Sequence, residues 1–285
     1  MLSLVDHMAM GTEAPRIGLV GACACVALVA AGAGLLAALG APPRLLIVNA
    51  AGLVVALGVC VMVLFALSRT PALVVAGIGL ALMLATALWG FALEDVRRWV
   101  QMGPFTIHAG YVLAPPLLAA ISRLRAWAPI CISGLCAVLW LQPDAGVATG
   151  VALSAIAMAA AAPSRWGLAG VSIAAVGAAA TWTRPDPLAP AMFVEHVAEL
   201  AWSHHPALGV LAFTLLALIP APFLWLGRRE AERRVVFWAM GGFWGGVAVA
   251  SLAGHFPTPI LGAGVGPIIG YALAWTVCLA PPRAR

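Results

Sequence analysis

Residues 17–41 read IGLVGACACVALVAAGAGLLAALGA, an uncharged run as long as a bilayer is thick. A hydrocarbon core of ~30 Å needs ~20 apolar residues in a helix. Working outward, runs of the same kind recur near 45–67, 70–93, 104–122, 126–142, 145–163, 166–182, 206–227, 235–254 and 259–281. The sequence therefore predicts an all-α, polytopic transmembrane bundle of about ten helices in one integral membrane domain, residues 1–285. Composition agrees: 64% hydrophobic and 9% charged residues, with a mean hydropathy of +1.05, lie outside the soluble range. Ala and Gly fill most of these runs, and small side chains let membrane helices approach closely.

All the basic residues are arginine, so their spacing reads as a topology signal. With the N-terminus cytoplasmic, Arg16, Arg69, Arg123, Arg125, Arg165, Arg228, Arg229, Arg233, Arg234, Arg283 and Arg285 fall on one side. Only Arg44, Arg97, Arg98 and Arg184 fall on the other. That asymmetry predicts both termini inside, with residues 1–15 as a short cytoplasmic segment that carries Asp6, His7 and Glu13 and lacks a basic signal region. The net charge of +5 then matches the anionic inner leaflet rather than nucleic acid. The six cysteines all fall inside apolar runs, where a thiol behaves as a small hydrophobe.

One polar stretch interrupts the pattern. Residues 183–205, TRPDPLAPAMFVEHVAELAWSHH, form a long extracytoplasmic loop between helices 7 and 8 and hold Asp186, Glu195, Glu199, His196, His204 and His205. The same topology brings His108 and His255 to that face. Imidazole is both a common metal ligand and a proton carrier near neutral pH, so a histidine-based metal or haem site is one reading. Interfacial anchoring is the simpler one, because no H-E-x-x-H spacing is present. Glu195 and Glu199, four apart, would share a side of a short helix. Burial there would raise a carboxylate toward the range of a general base; a solvated surface helix is the plain alternative. Arg98 and Arg184 supply fixed positive charge of the kind that binds phosphates. Arg97 and Arg98 also follow Glu94 and Asp95 directly, which fits a local ion-pair network equally well.

Several segments resemble the SEDS family, the polytopic proteins of bacterial shape, elongation, division and sporulation. Arg98-Trp99-Val100-Gln101-Met102-Gly103-Pro104-Phe105-Thr106-Ile107-His108 is similar to the family's approach to helix 4. Tyr111 and Ala114 then stand where the family has glutamate and lysine. Gln142-Pro143-Asp144 with Gly146 matches the outer end of helix 5, where Asp144 would equally serve as a helix cap. In the long loop, Glu195 falls at the family's aspartate, and Leu208-Gly209 at its helix start. Gly254-His255-Phe256-Pro257 and the following Pro259 to Gly264 are similar to the last outer loop.

The resemblance implies a RodA/FtsW-like peptidoglycan glycosyltransferase in the bacterial cytoplasmic membrane. It would polymerise a polyprenyl-diphosphate-linked saccharide on the outer face, beside a single-pass transpeptidase, in cell-shape or division processes. Glu195 would be the catalytic base. Arg98, Arg184, Gln142 and Asp144 would bind the diphosphate substrate, with a divalent cation as an optional helper. His108, His196, His204, His255 and Glu199 would line the site or shuttle protons. The alternatives are a catalytically degenerate scaffold for partner helices and the metal or haem protein.

Overall fold

The computed structural model describes residues 2–280, with side-chain surroundings given for residues 15–66 and 69–280. Arg283 and Arg285, which enter the topology reading, lie outside the described residues. The helices are α1 (Leu2–Ala38), α2 (Pro43–Arg69), α3 (Ala72–Trp89), α4 (Ala109–Ile121), α5 (Ala128–Leu141) and α6 (Ala145–Ala161). They continue with α7 (Arg165–Trp182), α8 (Val197–His204), α9 (Pro206–Leu218), α10 (Ala221–Arg229), α11 (Arg234–Ala253) and α12 (Val265–Leu279). The expected bundle of apolar helices is present.

Local chemistry sets the boundaries. Proline opens α2 at its first position, where the missing N–H costs no hydrogen bond. Asp144 and Ser164 cap α6 and α7 by accepting from Val147 N (3.1 Å) and Gly167 N (3.0 Å). Between α6 and α11 the backbones meet. A Cβ on Gly246 would lie 2.6 Å from Thr149 O, and one on Gly242 2.5 Å from Leu153 O. Four-residue glycine spacing thus makes this the tight seam of the bundle.

Three sequence expectations are corrected. Residues 90–93 and 104–108 are not helical: β1 (Phe91–Leu93), β2 (Val96–Met102) and β3 (Phe105–His108) form a small three-stranded antiparallel sheet set into the helical bundle. Two-residue turns decide this. Glu94 and Asp95 both take positive φ (45° and 66°), the twist a tight hairpin needs, and Gly103 takes φ 57° before Pro104. Residues 259–264 are a loop rather than the start of the last helix. The run 206–227 breaks into α9 and α10 around Pro220, and Tyr271 donates its hydroxyl to the freed Ile219 carbonyl at 3.0 Å. Residues 2–14 continue α1 ahead of its apolar span, which starts at Pro15.

Candidate functional site at one end of the bundle

Three irregular pieces meet at one end of the helices: the β-sheet, the 183–196 loop and the 254–264 loop. The two loops are zipped together by their backbones. Thr258 N donates to Val194 O (2.8 Å), Ala263 N donates to Phe193 O (2.8 Å), and Glu195 forms an isolated bridge with Pro257. Asn49, fully buried in α2, fixes the second loop from below. Its amide donates to Gly262 O (3.2 Å) and its carbonyl accepts from Gly264 N (2.9 Å).

Glu195 is therefore held just before α8 rather than on it, and the expected pairing with Glu199 on one helix face does not arise. His196 intervenes in a left-handed conformation, φ 53°, and Thr258 Oγ1 caps α8 by accepting from Val197 N at 3.1 Å. The Glu195 carboxyl is half-buried, and its Oε2 is enclosed without a hydrogen-bond partner. Burial raises its pKa above the usual carboxylate value. A backbone hydrogen bond from the Ala191 region and the charges of His255 and His196 oppose that rise in part.

Beside it, His196 Nε2 and His255 Nδ1 share a hydrogen bond of 2.8 Å, and His196 Nδ1 lies 3.8 Å from Glu199 Oε1. The imidazole pair joins the two loops at the surface. His204 and His205 are exposed at the α8–α9 junction, where His205 Nδ1 accepts from Ala207 N at 3.2 Å. They do not join the cluster.

Arg98 is 2% exposed and committed to protein groups. Its Nε donates to Gln142 O (2.8 Å) and its Nη2 to Pro143 O (2.6 Å) and Asp186 Oδ2 (2.5 Å). Asp186, which the sequence reading left unassigned, thus ties the long loop to the sheet and to the α5–α6 corner. Only a pairing across distant segments reveals it. Arg184 lies elsewhere, its guanidinium 4.4 Å from the Trp140 ring centroid and Nη1 donating to Trp140 O at 3.0 Å.

Under this layer, His108 Nε2 lies 3.6 Å from Asp144 Oδ2, both side chains buried. Desolvation lowers the His108 pKa to about 4, against the opposing pull of Asp144. Gln142 donates to Met83 O at 3.3 Å. His108 Nδ1, Gln142 Oε1 and Asp144 Oδ2 have no hydrogen-bond partner. Tyr111, at the position of the family's glutamate, stacks on Trp244 (6.1 Å between centroids), which meets Tyr271 edge-on.

An apolar groove of about 690 Å³ runs beside this end, between α2, α3, the sheet, α4 and α12. Val55, Leu82, Met102, Val112 and Ile269 are among its walls. Among the described residues no three His, Cys, Asp or Glu side chains are placed to hold a metal ion. The site's residues therefore do not fit a divalent cation held by the protein.

No family model and no curated protein matches the sequence. Solved structures do match its shape. The chain superposes on RodA, the rod shape determining protein of Thermus thermophilus, with a TM-score of 0.62 over 90% of this chain and 93% of that one, at 20% identity. An aspartate-to-alanine mutant of the same protein gives 0.65, with 90% and 94% covered at 20% identity. A chain from a peptidoglycan synthase complex that coordinates polymerization and crosslinking gives 0.58, with 90% and 95% covered at 21% identity. The protein is thus a multi-pass membrane bundle with the SEDS-like fold of RodA.

Proposed function

We propose that this chain is a SEDS-family glycosyltransferase of the bacterial cytoplasmic membrane, polymerising a polyprenyl-diphosphate-linked saccharide of the peptidoglycan type with Glu195 as general base. One observation carries the reading: a half-buried carboxyl with an unpartnered oxygen and a raised pKa, held by two zipped loops at one end of a RodA-like fold. In the reaction an acceptor hydroxyl oxygen attacks the anomeric carbon of the lipid-linked donor. The bond from that carbon to the diphosphate oxygen breaks, and the hydroxyl proton passes to Glu195. A carboxyl lifted by burial is a stronger base than an exposed one.

The neighbours have separate tasks. His196 and His255, joined at 2.8 Å, carry the proton on toward solvent. Arg184, half-buried against Trp140, is the arginine we assign to the diphosphate, because Arg98 already spends its donors on Gln142, Pro143 and Asp186. The apolar groove beside the sheet receives the polyprenyl chain. The likeness to a chain of a peptidoglycan synthase complex supports a membrane-anchored transpeptidase as partner, with cell-shape maintenance or division as the process served.

Purified protein supplied with lipid-linked disaccharide tests this. Wild type should make polymer and Glu195→Gln should lose at least about 100-fold in rate, within the usual contribution of acid–base catalysis. Unchanged polymerisation by Glu195→Gln removes the base from the mechanism. A second reading, a scaffold without activity, is favoured by the committed Arg98 and by the aromatic stack at Tyr111. Absence of polymer from wild type in the presence of its partner decides for it.

A further inference from the structure

At the other end of the bundle lies a corner whose donors outnumber its acceptors. Between the end of α10 and the start of α11, Arg228, Arg229, Arg233 and Arg234 occur within seven residues. Only Glu230 and Glu232 accompany them, and neither forms an ion pair with any of these arginines. Arg233 Nη1, Arg234 Nε and Trp238 Nε1 are each enclosed by protein without a hydrogen-bond partner. An enclosed donor left unmatched costs about 1–3 kcal/mol, more when charged. Among the described residues none accepts from these three donors, so the corner can take a further acceptor.

Packing brings the donors together. Arg234 and Trp238 are one turn apart and share a face of α11. Trp238 lies against α10 at Gly227, where any Cβ would collide with the indole. Arg233 precedes them at the helix start, and its charge, like that of Arg123, reaches Cys278 near the end of α12. α11 opens here with no side-chain cap, so two arginines sit at the positive end of its dipole. Unopposed, that placement is unfavourable; beside a bound anion it becomes favourable.

Depth identifies the anion. Ala231–Ala253 is an apolar span, so its first residues lie where phospholipid phosphates lie. Trp225, with the Arg229 guanidinium 4.2 Å from its ring centroid, is exposed on the same corner and suits a membrane interface. We propose that the α10–α11 corner binds a phosphate group through Arg233, Arg234 and Trp238, and that an anionic phospholipid headgroup supplies it. Basic pockets between membrane helices recognise such headgroups. The site lies at the opposite end of the bundle from Glu195 and does not rest on the catalytic reading.

Native mass spectrometry of the full chain in detergent, titrated with phosphatidylglycerol or phosphatidylcholine, tests it. Wild type should retain one phosphatidylglycerol about tenfold more tightly than phosphatidylcholine. Arg234→Gln should abolish that preference, and Trp238→Phe, which keeps an aromatic ring but removes the indole N–H together with its five-membered ring, should weaken it several-fold. Equal retention by wild type and both variants overturns the site. Inorganic phosphate provides the second arm: displacement of the retained lipid only at millimolar concentration supports a lipid ligand. Tight phosphate binding that lipid cannot displace overturns the lipid source. Should Arg234→Gln misfold, Trp238→Phe still decides.

Discussion

Asparagine at Asp186 would leave the Arg98 guanidinium buried with its two carbonyl acceptors but without its counter-charge. Removing one partner of a buried pair is costly. Here Asp186 keeps some contact with solvent, so Asp186→Asn should destabilise the 183–196 loop by about 2–3 kcal/mol. Faster hydrogen exchange in that loop, with α5 and α6 unchanged, is the expected signature. At Glu195 the pKa is raised, so the folded protein holds that proton more tightly than the unfolded chain does. Its contribution to stability is present below the ordinary carboxylate value of ~4.3 and is lost as pH rises through the elevated folded value. Glu195→Gln should therefore be slightly more stable than wild type above that range while lacking activity. Activity should fall on acidification at a higher pH than an exposed glutamate would give, as a pH–rate profile would show. His108 has the opposite sign. Its pKa drops to about 4 in the fold, so stability should decline as pH falls from ~6.5 toward that value, and His108→Gln should flatten the decline in thermal melts.

Helices in this chain are bounded by residues that can be read directly. Asp144 and Ser164 do cap, and prolines do open helices. The sheet was hidden because its strands are flanked by apolar helices, so hydropathy windows at 70–93 and 104–122 ran through Phe91, Leu93, Phe105 and Ile107. Only the tight turns at Glu94-Asp95 and Gly103-Pro104 mark it, and glutamate is an unusual residue at positive φ. The α6–α11 seam gives a prediction at this scale. Gly246→Ala places a methyl 2.6 Å from Thr149 O, overpacking that should cost about 1–3 kcal/mol. A lowered melting temperature in detergent, against an unchanged one for Gly58→Ala in open space, would check it.

The whole molecule places a polar end, an apolar groove and a basic end along one bundle, and each can be perturbed separately. Val112→Trp should fill the groove and raise KM for the lipid-linked donor with little change in kcat, since Val112 lines the groove and makes none of the contacts that hold Glu195. An equal KM would separate the groove from the substrate. Composition and hydropathy by themselves determined the membrane class and marked ten apolar runs, because hydrocarbon demands long uncharged runs. Polarity marked the 183–205 stretch with Asp186, Glu195, Glu199 and its histidines, and the resemblance to the SEDS family picked Glu195 among them. Only the tertiary structure decided that Glu195 stands before α8 against Pro257, that His196 meets His255, and that Asp186 engages Arg98 across 88 positions of sequence. The physical reason is one of range. Burying apolar length is a local property written into each segment, whereas pairing buried polar groups depends on which distant segments the closed bundle brings within hydrogen-bonding distance.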